Sequence, residues 1–115
     1  MAMQTLNIPA GTAVLIGAPA NPMDARVSAA IGRLTASIEG VVEAHLPQMY
    51  AVKVMEKPAQ VLVLLLRRDA DVGKVADHLA AGLPQVLPKG VQLDIWPIPA
   101  SHPLADDVRR AGCMI

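Results

Sequence analysis

The run Val61-Leu62-Val63-Leu64-Leu65-Leu66 limits the fold more than any other stretch of this chain. Six apolar residues stand between Gln60 and the charged Arg67-Arg68-Asp69. Successive side chains of a strand point to opposite faces, so a strand wetted on one face alternates apolar and polar. This run does not alternate. Six residues between charged stops are short for a helix, and the Pro58-Ala59-Gln60 lead-in favours extended chain. The run reads as a central strand covered on both faces. Thr12-Ala13-Val14-Leu15-Ile16, closed by Gly17, has the same character and reads as a second central strand.

The chain has 115 residues, which predicts one domain over 1–115 that folds without metal or disulfide staples. Ten basic and ten acidic residues give no net charge, which argues against a nucleic-acid or anionic-membrane surface. The single cysteine, Cys113, has no internal partner and points to a reducing compartment. Residues 1–9 lack the basic start and apolar core of a signal peptide, and no run approaches the roughly 18 apolar residues of a membrane span. A soluble cytoplasmic protein is expected. With no Phe, one Trp and one Tyr, the core must be aliphatic, and there is no aromatic platform for stacking bases.

In chain order, residues 1–11 read as a loose lead-in. Gly17 to Asn21 reads as a loop, and Asn21-Pro22 as a helix start with Asp24 in the first turn. Met23, Val27, Ile31, Leu34 and Ile38 recur at helical spacing up to Gly40. Val41 to Met55 is extended but interrupted by Pro47, which points to a sheet edge or a bulge. Its second half, from Tyr50, alternates. After the Val61–Leu66 strand, Asp69 or Asp71 caps a helix with Val72, Val75, Ala76, Leu79 and Leu83 buried. Gly82 and Pro84 close it. Val91 to Trp96 alternates as a half-wetted strand, and Pro97 and Pro99 stop it. Ser101 caps a last short helix, Pro103 to Arg110, with Leu104 and Val108 inward, and Gly112 ends it.

Strand, helix, strand, strand, helix, strand is the order of an α+β, ferredoxin-like βαββαβ sandwich, here with a short extra C-terminal helix. In that topology the first and third strands are central, and here those are the fully apolar ones. Its helices cover one sheet face only. Two doubly apolar strands then leave a stripe on the other face, and each large aliphatic left in water forgoes roughly 1.5–3 kcal/mol. The closing helix, the lead-in, a second copy of the chain or a different protein would cover it. Leu15, Leu64, Leu65, Trp96, Leu104 and Val108 are the candidate interface residues. Trp96, opposite in phase to Val91, Leu93 and Ile95, either rims the patch or stands alone on the surface.

Chemistry-bearing patterns are scarce. His45, His78 and His102 lack metal-ligand spacing. Asp69-Ala70-Asp71 lacks the remaining ligands of a calcium loop. Gly11 and Gly17 make no phosphate loop. Asp106-Asp107 with Arg109-Arg110 reads as helix decoration, and Cys113, near the end of the sequence, is hard to hold as a nucleophile. No catalytic, metal-binding or cofactor-binding residue is assigned. The expected function is a non-enzymatic interaction or assembly module, working through the apolar sheet face on itself or another protein. The alternative is a small-molecule sensor of free amino acids, a class sharing this strand–helix order, with Asn21, Asp24 and Arg26 as the ligand loop.

The last third also resembles a family. The strand to Trp96, Ile98-Pro99 and then Ser101-His102-Pro103-Leu104-Ala105-Asp106-Asp107-Val108-Arg109-Arg110-Ala111-Gly112 are similar to the C-terminal domain of the bacterial enhanced serine sensitivity (SseB) proteins. The likeness extends back through Val41-Val42-Glu43-Ala44 to about Val14. It implies a bacterial cytoplasmic protein of a family whose biochemical activity is not established, and it supplies no catalytic residues. Larger members carry a further N-terminal domain, and the family's tail after the last glycine tends to be aromatic where this chain has Cys113-Met114-Ile115.

Overall fold

The structure, a computed structural model, describes residues 3–115; Met1 and Ala2 of the lead-in lie outside the described residues. It is mixed α+β: β1 (Met3–Thr5), β2 (Val14–Gly17), α1 (Ala25–Ala36), β3 (Val41–His45), β4 (Gln48–Ala51), β5 (Ala59–Leu66), α2 (Val72–Val86), β6 (Leu93–Pro99) and α3 (Ala105–Arg110). The strands form one six-stranded mixed sheet in the order β1-β6-β5-β4-β2, with β3 also paired to β5. β5 carries the apolar run and is central. β6 lies parallel on one side of it, and β3 and β4 lie antiparallel, end to end, on the other.

Both faces of β5 are buried. Leu62, Leu64 and Leu66 face α1 and α2, packing with Ile31, Val75, Leu79, Leu83, Leu93 and Ile95. Val61, Val63 and Leu65 face the other way, packing with Met49, Trp96, Ile98, Ala105 and Val108. Period-2 alternation divides one apolar run between two cores. Among the described residues, no helix is long and apolar enough to cross a membrane.

The sheet order is not the ferredoxin-like one. That order places the 12–16 strand beside Val61–Leu66, but β2 is an edge strand paired only with β4, from Val14↔Ala51 to Gly17↔Gln48. The crossover through α2 instead brings β5 and β6 side by side in parallel, Leu62 opposite Ile95 and Leu64 opposite Pro97. A continuous apolar run does not say which strands lie beside it, nor that every side chain in it finds cover. Val14 and Ile16 reach the second core while Leu15 between them does not.

The lead-in is partly ordered as strand: β1 pairs in parallel with β6, Met3↔Leu93 to Thr5↔Ile95, and Leu6 N–H donates to Ile95 O at 2.8 Å. That bond turns the backbone of odd-numbered β6 residues toward β1. Pro97 and Pro99 fall beyond the end of β1 on that same side, where an N–H has no strand to meet. They are therefore tolerated, and β6 runs through them to Pro99. Two further boundaries move. The alternating stretch from Tyr50 ends at Ala51 in a tight turn, with Lys53 at φ 67° and Met55 N–H bonded to Ala51 O. α2 carries Pro84 in its last turn and continues to Val86. Gly82 does not end it; a Cβ there would lie 2.6 Å from Leu34 Cδ1, so the glycine lets α1 approach.

α1 begins later than Asn21-Pro22 suggests. Asp24 is its N-cap, accepting from Arg26 N–H at 2.8 Å and Val27 N–H at 3.4 Å. The loop before it is pinned to the sheet: Ala20 N–H donates to Gln48 Oε1 and Met23 N–H to Gln60 Oε1, each at 3.1 Å. Asp71 caps α2 through Lys74 N–H. α3 starts at Ala105 without a side-chain cap on its own Ncap residue, and His102 Nδ1 accepts from Leu104 N–H at 3.0 Å instead of Ser101 capping the helix.

Candidate functional site

The six expected interface residues divide sharply. Leu64 lies in the first core, and Leu65, Trp96 and Val108 lie in the second, all buried within the chain. Leu104 is half-buried against the second core. The cover for the second face comes from the chain itself: α3 brings Ala105 and Val108, the lead-in brings Leu6 and Ile8, and the turn after β4 brings Val54 and Met55. Trp96 faces away from Leu93 and Ile95, as the alternation predicts, yet neither rims a patch nor stands alone. It is buried, with its ring edge-on to His102 at 5.4 Å. Leu15 alone of the six is exposed, at 67%.

Leu15 belongs to an open sheet edge. Val52 N–H donates to Ala13 O at 3.0 Å, so the odd-numbered residues of this segment turn their backbone toward β4. Val14 and Ile16 turn theirs outward. Beyond Gly17 the same edge continues in a segment that the sequence reading passes over. Residues 113–115 lie antiparallel to β3, with Met114 opposite His45. Leu46 N–H donates to Cys113 O, and Ile115 N–H to Ala44 O, each at 2.9 Å. Those bonds leave the backbone groups of Met114 pointing outward, and its side chain is 65% exposed. β2 and 113–115 thus form one line along the outer side of β4 and β3. Among the described residues, nothing pairs with its far side. An open groove of about 540 Å³ runs beside this line between β2, Ala18 and the α3 residues Asp107, Arg110 and Ala111.

A polar cluster fastens α3 over β3. Arg109 grips Glu43 through Nε at 3.2 Å to both carboxylate oxygens and through Nη2 at 2.9 Å to Oε2, and holds Asp106 at 3.1 Å. This guanidinium, with help from His45, holds the Glu43 carboxyl below its ordinary range, against the opposing effect of burial. Glu43 Oε1 also meets His45 Nε2 at 3.0 Å. A carboxylate only accepts, so Nε2 carries the proton. The imidazole is almost completely buried, and its Nδ1 has no hydrogen-bond partner among the described residues. Cys113 is nearby in sequence but its thiol donates to Ala111 O, and burial pushes it up, away from thiolate chemistry.

The residues of the alternative ligand loop do not converge on a pocket. Asp24 is engaged as the α1 cap, while Asn21 and Arg26 are exposed. Among the described residues, no group of three His, Cys, Asp or Glu side chains is placed to hold a metal ion. Sequence reasoning missed β1, the 113–115 pairing and the Glu43–Arg109 clamp. For the lead-in, the alternation of Leu6, Asn7 and Ile8 is the one signal present. The clamp joins residues 66 positions apart, and nothing local announces it. No family model matches this chain, and comparison with characterised proteins and with solved structures returns no match either.

Proposed function

We propose that this chain is a non-enzymatic protein-interaction module that accepts an added strand along the line of β2 and residues 113–115. The observation that carries this is an apolar, uncharged, proline-free edge strand with Leu15 exposed and the Val14 and Ile16 backbone groups turned outward. Edge strands are usually blunted by Lys, Pro or a covering loop, because open backbone groups recruit other strands. Strand addition takes affinity from main-chain hydrogen bonds and specificity from the side chains alongside. The apolar face first expected to serve this role is filled by the chain's own α3, so the module works through its edge. A bacterial cytoplasmic setting and kinship with the enhanced serine sensitivity proteins are proposed with it, on the resemblance given above.

Selection of binders from a displayed library of random extended peptides tests the reading, followed by amide NMR on the folded chain. Bound peptides are expected to shift the Val14, Ile16 and Met114 amides. Met114→Pro removes one outward N–H and no inward one, and should weaken binding without changing the fold. Binders that map elsewhere, or a library that yields none, would overturn the proposal.

A further inference from the structure

We infer that the strand this edge accepts is the same edge of a second copy, related by a two-fold axis that crosses the line between Gly17 and Cys113. The inference rests on the strand-addition reading above and names its partner. β2 and 113–115 run in the same direction: Val14 to Gly17 lie opposite Ala51 to Gln48, and Cys113 to Ile115 continue opposite Leu46 to Ala44. A two-fold rotation perpendicular to the sheet reverses that line. It lays β2 of one copy antiparallel to 113–115 of the other, twice, by symmetry.

One register satisfies backbone and side chains together. Ile16 and the partner's Met114 both turn their backbone groups outward, so they face each other as a hydrogen-bonded pair. Directly opposite residues share a sheet face. Ile16 packs on the second core, and Met114, opposite His45, lies on that same side. Next to them Leu15 meets the partner's Ile115, whose side chain packs on the first core. The exposed Leu15 and Met114 thus each gain an apolar neighbour from the other copy.

The charges at the middle of the line agree with this. Asp107 and Arg110 line the groove beside which the axis falls, paired at 2.6 Å and both solvent-accessible. A groove of one sign would repel its own image. One carrying an acid and a base side by side is its own complement, with Arg110 turned toward the partner's Asp107. The line is short and buries far less than the roughly 1,600 Å² of a standard stable interface. The dimer is accordingly weak and concentration-dependent.

Disulfide trapping tests the register. In a Cys113→Ser background, Ile16→Cys with Met114→Cys places the two thiols opposite each other across the axis. Within one copy these positions are four apart along the line, about 13 Å at 3.3 Å per residue, beyond the ~7 Å that a disulfide spans. Mild oxidation should give a covalent dimer. Leu15→Cys with Ile115→Cys is a second pair, should the loss of Ile16 loosen β2. By light scattering, the unmodified chain should rise toward the mass of two chains with concentration. Leu15→Lys and Met114→Pro should hold it at one, and Arg110→Glu should do so until joined by Asp107→Arg. A one-chain mass across the micromolar range, with neither pair cross-linking, would overturn the inference. If extended peptides still shift the Val14 and Ile16 amides, strand addition survives and only the second copy is wrong. If they do not, both readings fall.

Discussion

β5 and β2 look alike as text, and their surroundings differ completely. Each contains an unbroken aliphatic run, yet Leu62 to Leu65 lose all contact with water while Leu15 keeps two-thirds of its surface exposed. β5 has strands on both sides, two helices over one face, and α3 with the lead-in over the other. β2 has one neighbour, and its Leu15 faces outward away from the second core. Aliphatic continuity therefore signals two different things. In β5 it supplies two cores at once. In β2 it leaves a surface with no charge or proline to keep other strands away.

The sharpest way to break this comparison is to place a carboxylate in each run. Leu65→Glu should abolish folding, a loss above about 4 kcal/mol, because the charge has neither water nor partner. Leu15→Glu should stay within about 0.5 kcal/mol of the unmodified chain. Urea denaturation of both checks this, and equal losses would end the distinction. The milder Leu64→Ala and Leu65→Ala should each cost about 2–5 kcal/mol, since either core is left with a cavity.

A middle-sized effect is expected at β3, which pairs with β5 on the side away from β6. Glu43→Ala leaves the buried His45 with neither ring nitrogen bonded and should cost about 1–3 kcal/mol. Glu43→Gln separates charge from shape. The folded Glu43 carboxyl titrates lower than the unfolded one, so its stabilisation is complete above the unfolded value and is lost as pH falls through the folded value. The stability gap between Glu43→Gln and the unmodified chain should close on acidification. A gap that does not change with pH would mean that the clamp acts through packing alone.

The smallest effect is expected on the other flank of β5. Burial pushes the Asp94 carboxyl of β6 up, so the folded chain holds its proton more tightly than the unfolded one. The ionised group is a penalty at neutral pH that fades as pH falls through its raised value. Asp94→Asn should therefore raise the thermal midpoint slightly at pH 7 and leave it unchanged in acid, as midpoints at the two pH values would register.

Much of the architecture is legible locally. The central strand, both long helices and the opposite phase of Trp96 follow from periodicity, as do the buried faces of the helices except at Val72, which opens α2 and is exposed instead of inward. Sheet order does not, because β2 and β5 carry the same pattern and only the crossover through α2 decides that β6 sits beside β5. Proline and glycine mislead for a related reason. Pro97 reads as a stop, yet its missing N–H faces a side where β1 has ended. Gly82 reads as a helix end, yet it answers Leu34 from another helix. The open edge is half legible: the uncharged run at 14–17 is visible, whereas the contribution of Met114 depends on a pairing that brings residue 114 back to residue 45.

The prolines of β6 bear on how far edge-to-edge joining can go. A sheet with two receptive margins grows into a filament, each copy passing an open margin to the next. Here the margin on the β1 side is a short strand followed by Pro97 and Pro99, which have no hydrogen to offer a newcomer. The β1 margin therefore offers a newcomer a shorter ladder than the β2 side, which under the proposed pairing favours a single join over a filament.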